Sequence, residues 1–166
     1  MRKRVLWTVV TGIGLVLFGA VCNPVERLIW NRTDSAPKGF YWLSNAPFTN
    51  GRWGVVSASS PDAQWAEARG FVGADWPLIK KIVGVSGDEI CRTEQTILIN
   101  RKPVAQARLV DSQGRNLPDW QGCSRLRTGE LFLLNAHADS LDGRYFGPTQ
   151  ITDMDGVAIP LITSHK

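Results

Sequence analysis

Eighteen consecutive residues, 5–22, carry no charge and read VLWTVVTGIGLVLFGAVC; beyond them hydrophobic residues recur only in short runs. As a helix this stretch spans about 27 Å at 1.5 Å per residue, close to the hydrocarbon thickness of a bilayer. It lacks the polar face of a helix packed on a soluble core. Its hydroxyls, on Thr8 and Thr11, are placed to bond back to helix carbonyls, and Asn23-Pro24 ends it. Three readings compete: a retained signal-anchor, a cleaved signal peptide and an unusually apolar core helix. The run is longer than the apolar core of most cleaved signals, and Ala20-Val21-Cys22, followed by Pro24, makes a poor cleavage site. Bulky Val21 also argues against lipidation of Cys22. Arg2, Lys3 and Arg4 precede the span, against Arg27 and Arg32 after it, which puts the N-terminus in the cytoplasm. The expected organisation is a basic cytoplasmic tail (1–4), a transmembrane signal-anchor (5–22) and an exported domain (23–166).

The rest of the chain reads as β. Candidate strands cover 40–43, 53–57, 78–85, 89–91, 96–99, 102–107, 131–135 and 155–161, separated by Gly, Pro, Asn and Asp. Short strands at this spacing favour a barrel or sandwich. Residues 61–70 form a candidate short helix and 111–123 a loop or excursion; there is no internal repeat or heptad. With 166 residues, 43% of them hydrophobic and seven Trp, disorder is excluded and one folded domain is expected. The net charge of +4 points to nucleic acid only until it is located: three of those four charges sit on Arg2, Lys3 and Arg4. No nucleic-acid partner is expected.

Cys91 and Cys123 are the two cysteines of the exported part. They are read either as a disulfide closing a loop of about thirty residues or as two separate thiols. Zinc is not expected, because there is no CxxC and neither His137 nor His165 is suitably spaced from a cysteine. His137-Ala138-Asp139-Ser140-Leu141-Asp142 reads as a metal cluster, as part of a Ser-His-Asp triad, or as a polar loop; its spacing fits no strong metal template.

Two segments carry chemistry. In Leu78-Ile79-Lys80-Lys81-Ile82-Val83-Gly84-Val85, alternation places Lys80 with Leu78 and Ile82 and Lys81 with Ile79 and Val83. Both faces are apolar, so at least one lysine enters a dry environment, where its pKa falls toward that of a general base. The competing reading is a solvated pair that blunts a sheet edge. In Thr33-Asp34-Ser35-Ala36-Pro37-Lys38-Gly39 a turn presents a hydroxyl just beyond the apolar span, and a neutral lysine within reach would activate it.

Ser35-x-Pro37 after an N-terminal anchor, Gly-Arg-x-Gly-Val-Val at 51–56, the lysine strand running on through Ser86-Gly87-Asp88-Glu89-Ile90, and Asp-Ser-Leu-Asp-Gly-Arg-Tyr-Phe-Gly-Pro at 139–148 together resemble the ordered boxes of the type I signal peptidases. The short form Ser-Ala-Pro-Lys-Gly-Phe-Tyr-Trp is similar to the TraF-type branch, which matures proteins for conjugative transfer. The resemblance implies a mainly β, signal-peptidase-like barrel or sandwich behind a transmembrane helix, and a serine endopeptidase with no cofactor and no metal. It makes Ser35 the nucleophile and Lys80 the general base, with Thr33 and the Ser35 N–H forming the oxyanion hole. Ser140 orients the lysine, and Asp142 and Arg144 support the site. Ile79 and Ala36 belong to the pocket for the small side chain before the cleaved bond. Gly143 and Ser86 stand where the family more often has Ser and Pro.

The implied substrate is a membrane-tethered, pilin-like precursor met at the lipid bilayer by an enzyme of the cytoplasmic (inner) membrane whose catalytic domain faces the periplasm. Conjugative transfer or secretion machinery are the implied partners. Only thirteen positions separate Cys22 from Ser35, at most about 43 Å of extended chain, so Ser35 works near the membrane, where Trp30, Phe40 and Trp42 suit an interfacial belt. The acyl-enzyme is open to water or, with pilin cyclisation, to an amine. Two rivals are a Ser/Lys protease with another task, general preprotein processing or self-cleavage, and a non-catalytic anchored β-domain that binds a partner.

Overall fold

The computed structural model describes residues 2–21 and 27–164. Cys22 and the Asn23-Pro24 break at the end of the apolar span, and His165, lie outside them. The elements in order are α1 (Arg2–Val21), β1 (Leu28–Asn31), β2 (Gly39–Ser44), β3 (Trp53–Val56), α2 (Pro61–Ala68), β4 (Leu78–Gly84), β5 (Glu89–Thr93), β6 (Thr96–Ile99), β7 (Lys102–Gln106), β8 (Gly122–Arg125), β9 (Glu130–Leu133), α3 (Gly143–Phe146), β10 (Thr149–Gln150) and β11 (Met154–Thr163). A seven-stranded sheet runs β1-β2-β11-β3-β4-β9-β10 and a four-stranded sheet runs β7-β6-β5-β8. Their ladders are antiparallel.

In α1 the described side chains, 3–14, are exposed. The Thr8 and Thr11 hydroxyls donate to the Val5 and Trp7 carbonyls, each at 2.8 Å. Among the described residues no helix is long and apolar enough to cross a membrane.

Three apolar clusters hold the sheets. Tyr41, Val55, Ile79 and Ala158 pack with Ala36 beneath the Ser35 turn. Val56, Ala63, Leu78, Ile82 and Leu133 join α2 to the other face of β4, and Ile90, Ile97, Phe132 and Leu134 tie the small sheet to the large one. The short helix starts where the sequence has Ser60-Pro61: Ser60 Oγ accepts the Ala63 N–H at 3.2 Å, and Pro61 needs no such partner. It buries Ala63 and Ala66.

β1, β8, β10 and α3 were not legible in the sequence. β8 is exposed along its whole length, and β10 is two residues long, so neither shows alternation. The excursion at 111–123 is held down at its far end. The structure joins Cys91 to Cys123, which face each other across β5 and β8. The Trp120 indole donates to the Gly143 carbonyl at 3.1 Å, and the fully enclosed Arg92 donates to the Arg144 carbonyl at 2.8 Å while facing Asp119 at 3.0 Å. The small sheet and its excursion thereby fix the position of α3.

Candidate active site

The turn that carries Ser35 is folded around one side chain, Asn31, the last residue of β1. Asn31 Nδ2 donates to the carbonyls of Thr33, Ala36 and Pro37 at 3.0–3.1 Å, and its Oδ1 accepts the Thr33 N–H at 3.1 Å and the Thr33 hydroxyl at 2.8 Å. A buried carboxamide offers two donors and an acceptor, enough to replace the ladder bonds a turn gives up. The Tyr41 hydroxyl adds a bond to the Pro37 carbonyl at 2.6 Å. Thr33 Oγ1 lies 3.2 Å from Ser35 Oγ. Since the one proton of Thr33 Oγ1 is given to Asn31, Ser35 is the donor in that contact.

Both faces of β4 are apolar, and packing separates its two lysines. Lys81 is exposed, with Nζ 5.7 Å above the Trp53 ring, whereas Lys80 is 5% exposed, between Leu78 and Ile82. Lys80 Nζ donates to Ser140 Oγ at 2.9 Å. Burial pulls its pKa down from 10.5 to about 8; nearby Asp142 opposes the shift and Arg144 adds to it. A sizeable neutral fraction near pH 8 gives this amine a lone pair with which to take a proton.

Asp142 and Arg144 form a buried bidentate ion pair: Nε donates to Oδ1 at 2.8 Å and Nη2 to Oδ2 at 3.1 Å. Asp142 also caps α3 by accepting the Arg144 N–H. Together they clamp Asn135, whose N–H donates to Asp142 Oδ2 at 3.0 Å and whose carbonyl accepts from Arg144 Nη2 at 2.6 Å. The Asn135 side chain then continues the β9 ladder: Oδ1 accepts the Lys81 N–H at 2.9 Å and Nδ2 donates to the Ile79 carbonyl at 3.0 Å. The two residues flanking Lys80 are thus gripped by one side chain, and the ion pair orients Lys80 through Asn135. Gly143 has a steric reason: a Cβ there would lie 2.8 Å from the Leu133 carbonyl oxygen and 2.9 Å from the Phe132 ring.

Ser35 and Lys80 line two cavities in common. One, of about 330 Å³, runs between residues 28–33 and 76–80 and includes Ile79; the other, of about 210 Å³, also reaches Thr33, His137 and Ser140. Ala36 is buried in the core and lines a different cavity, on the far side of Ser35. Among the described residues no hydrogen bond joins Ser35 to Lys80; each is held by its own neighbour, Thr33 and Ser140. His137 is exposed, with Nδ1 accepting the Asp139 N–H at 3.2 Å, and among the described residues no group of three His, Cys, Asp or Glu is arranged to hold a metal. Sequence reasoning missed Asn31, Asn135 and Arg92. The signal for the first was a polar residue ending the short apolar run Leu28-Ile29-Trp30, and for the second a polar residue ending Leu131-Phe132-Leu133-Leu134.

This is the architecture of a peptidase: the family described as signal peptidase, peptidase S26, matches residues 2–162, and the chain belongs to it. Within it the relatives are of the TraF type. The chain is 33% identical to a plasmid transfer protein TraF of Escherichia coli, over 92% of this chain and 91% of that one. It is 31% identical to a conjugal transfer protein TraF of Agrobacterium fabrum, over 98% of each. A crystal structure of a signal peptidase I from Enterococcus faecalis matches at 18% identity and a TM-score of 0.40, covering 69% of this chain and 98% of that one.

Proposed function

We propose that this protein is a membrane-anchored serine endopeptidase that uses a Ser35/Lys80 dyad to remove leader peptides from exported precursors in conjugation, a pilin precursor first among them. The observation that carries this reading is the convergence of Ser35 and a buried, pKa-depressed Lys80 on the same cleft.

A precursor strand lies between the β1 edge and residues 76–80, with the small side chain before the cleaved bond against Ile79. Ser35 Oγ turns from Thr33 toward Lys80, which takes its proton as the oxygen attacks the carbonyl carbon. The oxyanion is met by the Ser35 N–H and by Thr33 Oγ1, whose proton swings from Asn31. The C–N bond breaks as protonated Lys80 returns that proton to the leaving amine. Water, activated by the same neutral amine, releases the acyl group; an amine acceptor in its place would give a cyclic product. Ser140 holds Lys80 between these steps.

Residues 5–22 supply the anchor in the cytoplasmic membrane, and the domain faces the periplasm. The exposed apolar row of Trp30, Phe40, Trp42, Ile159 and Ile162 across β1, β2 and β11 supports this placement, since it lies on one sheet face beside the cleft.

The test is processing of a conjugative pilin precursor in membranes, with the intact mass of the product. Wild type is expected to process it and Ser35→Ala to leave it whole; full processing by Ser35→Ala would refute the reading. A product one water lighter than the linear chain adds cyclisation, and a linear product limits the enzyme to hydrolysis. The rate is expected to rise with pH and reach half its limit near pH 8, as Lys80 loses its proton. A flat profile between pH 6 and about 9 would exclude Lys80 as the base.

A further inference from the structure

Ser35 stands where two cavities meet. Among the described residues, the cleft of about 330 Å³ between 28–33 and 76–80 shares only Ser35 with a second cavity of about 580 Å³, lined by residues 34–38, Trp53, Lys81, His137 and the end of β11. A peptide whose carbonyl carbon reaches Ser35 Oγ has chain on both sides of that atom, so its acyl half occupies one cavity and its amine half the other. The second cavity does not stop there. Across Lys81 and Ala136 it meets a groove of about 610 Å³, floored by Val83, Ile99 and Leu134 and rimmed by β7.

The strand that supplies Lys80 also marks this path. Successive side chains of β4 point to opposite faces, so Lys80 enters the buried cluster beside Ser140 while Lys81 is delivered to the junction of the two outer cavities. The groove's own chemistry is specific. Its floor is aliphatic, Val104 on its rim is 46% exposed, and Lys81 and Lys102 are its exposed cations. Among the described residues no acidic side chain lines it, and Arg144 at its inner end is neutralised by Asp142.

We propose that the groove beneath β7 is a second peptide subsite, holding the precursor's chain on the amine side of the cleaved bond. This rests on the assignment of Ser35 as nucleophile. The occupant is an extended, mainly apolar segment with an acidic side chain set to meet Lys81 and Lys102. Recognition several residues past the cut lets the enzyme choose among precursors that share only small residues before it.

The experiment uses the full chain in detergent and two internally quenched peptides with Ala before the cleaved bond. One ends about two residues past the cut; the other runs on for about eight, some 27 Å of extended chain, with aliphatic and Asp side chains. Val104→Asp and Lys102→Glu alter exposed positions on the rim. They are expected to raise KM for the long peptide about tenfold, to leave its kcat unchanged, and to leave the short peptide unaffected. Exchanging Asp for Lys in the long peptide is expected to restore its KM with Lys102→Glu. Equal effects on the two peptides, or none on either, would overturn the subsite while leaving the peptidase intact. If wild type cleaves neither peptide, or Ser35→Ala cleaves as wild type does, the assignment of Ser35 falls, and the subsite with it.

Discussion

Lys80→Met is expected to slow cleavage by about 10²–10⁴-fold and, at pH 7, to make the protein more stable. Lys80 is buried among Leu78, Ile82 and the Asp142–Arg144 pair, and its pKa falls from 10.5 to about 8 mainly because the charged amine has lost water. A depression of that size corresponds to on the order of 3 kcal/mol of disfavoured protonation. Below about pH 8 the lysine is charged in both folded and unfolded chains, so the folded protein bears the whole penalty. Between about pH 8 and 10.5 the unfolded chain binds the extra proton, and wild-type stability from this group rises with pH until the penalty is gone. Met fills a similar volume without charge and gives up the bond to Ser140 Oγ, a loss of about 1 kcal/mol. The net expectation is a gain of roughly 1–2 kcal/mol at pH 7 that shrinks or reverses by about pH 10. Loss of a general base costs about 10²–10⁴-fold in rate. Urea denaturation of both proteins at the two pH values, beside a cleavage assay, checks both statements. A Met variant less stable than wild type by the same amount at both pH values would contradict the burial account.

Asp142→Ala is expected to be the most destabilising single change near the site, by about 3–5 kcal/mol, because it leaves the Arg144 guanidinium buried and unpaired. It also strips Asp142 Oδ2 from the Asn135 N–H and removes the cap of α3. Asn135 then has a weaker hold on the Ile79 carbonyl and the Lys81 N–H, and Lys80 between them is less well aimed. The double variant Asp142→Leu, Arg144→Met removes both charges together and is expected to recover most of the lost stability, since an apolar pair of similar volume often replaces a buried ion pair without cost. It is not expected to recover kcat, because neither new side chain can clamp Asn135. Denaturation midpoints and kcat for wild type, single and double variants separate the two roles. Recovery of kcat in the double variant would show that the pair serves stability alone.

The positions legible in the sequence are those whose signal is local. Short apolar runs bounded by Gly, Pro, Asn and Asp mark β2, β3, β4, β5, β6, β7, β9 and β11 within a residue or two of their ends, and Ser60-Pro61 marks the start of α2. The Ser35 turn and the lysine pair were visible as chemistry, and the boxes around them as a family resemblance. Asn31 and Asn135 were not, because a carboxamide is a solvated side chain or a substitute for a strand according to which backbone atoms stop opposite it. α3 is four residues long and depends on the Asp142 cap and on contacts from Trp120 and Arg92. Nothing in Gly-Arg-Tyr-Phe alone makes it helical.

By itself the sequence determined a β-rich domain behind an uncharged eighteen-residue span, and the presence of a hydroxyl turn and a strand with two lysines between apolar faces. These follow from side-chain alternation and turn chemistry, which act between neighbours along the chain. Only the tertiary structure decided which lysine is buried, that Ser35 and Lys80, forty-five positions apart, share a cleft, and that the excursion is pinned to α3. It alone also made the cavities on either side of Ser35 continuous with the groove under β7. The reason is register: burial and cross-strand contact depend on which residues of distant strands stand opposite one another, and an antiparallel ladder sets that by packing both faces of β4 at once.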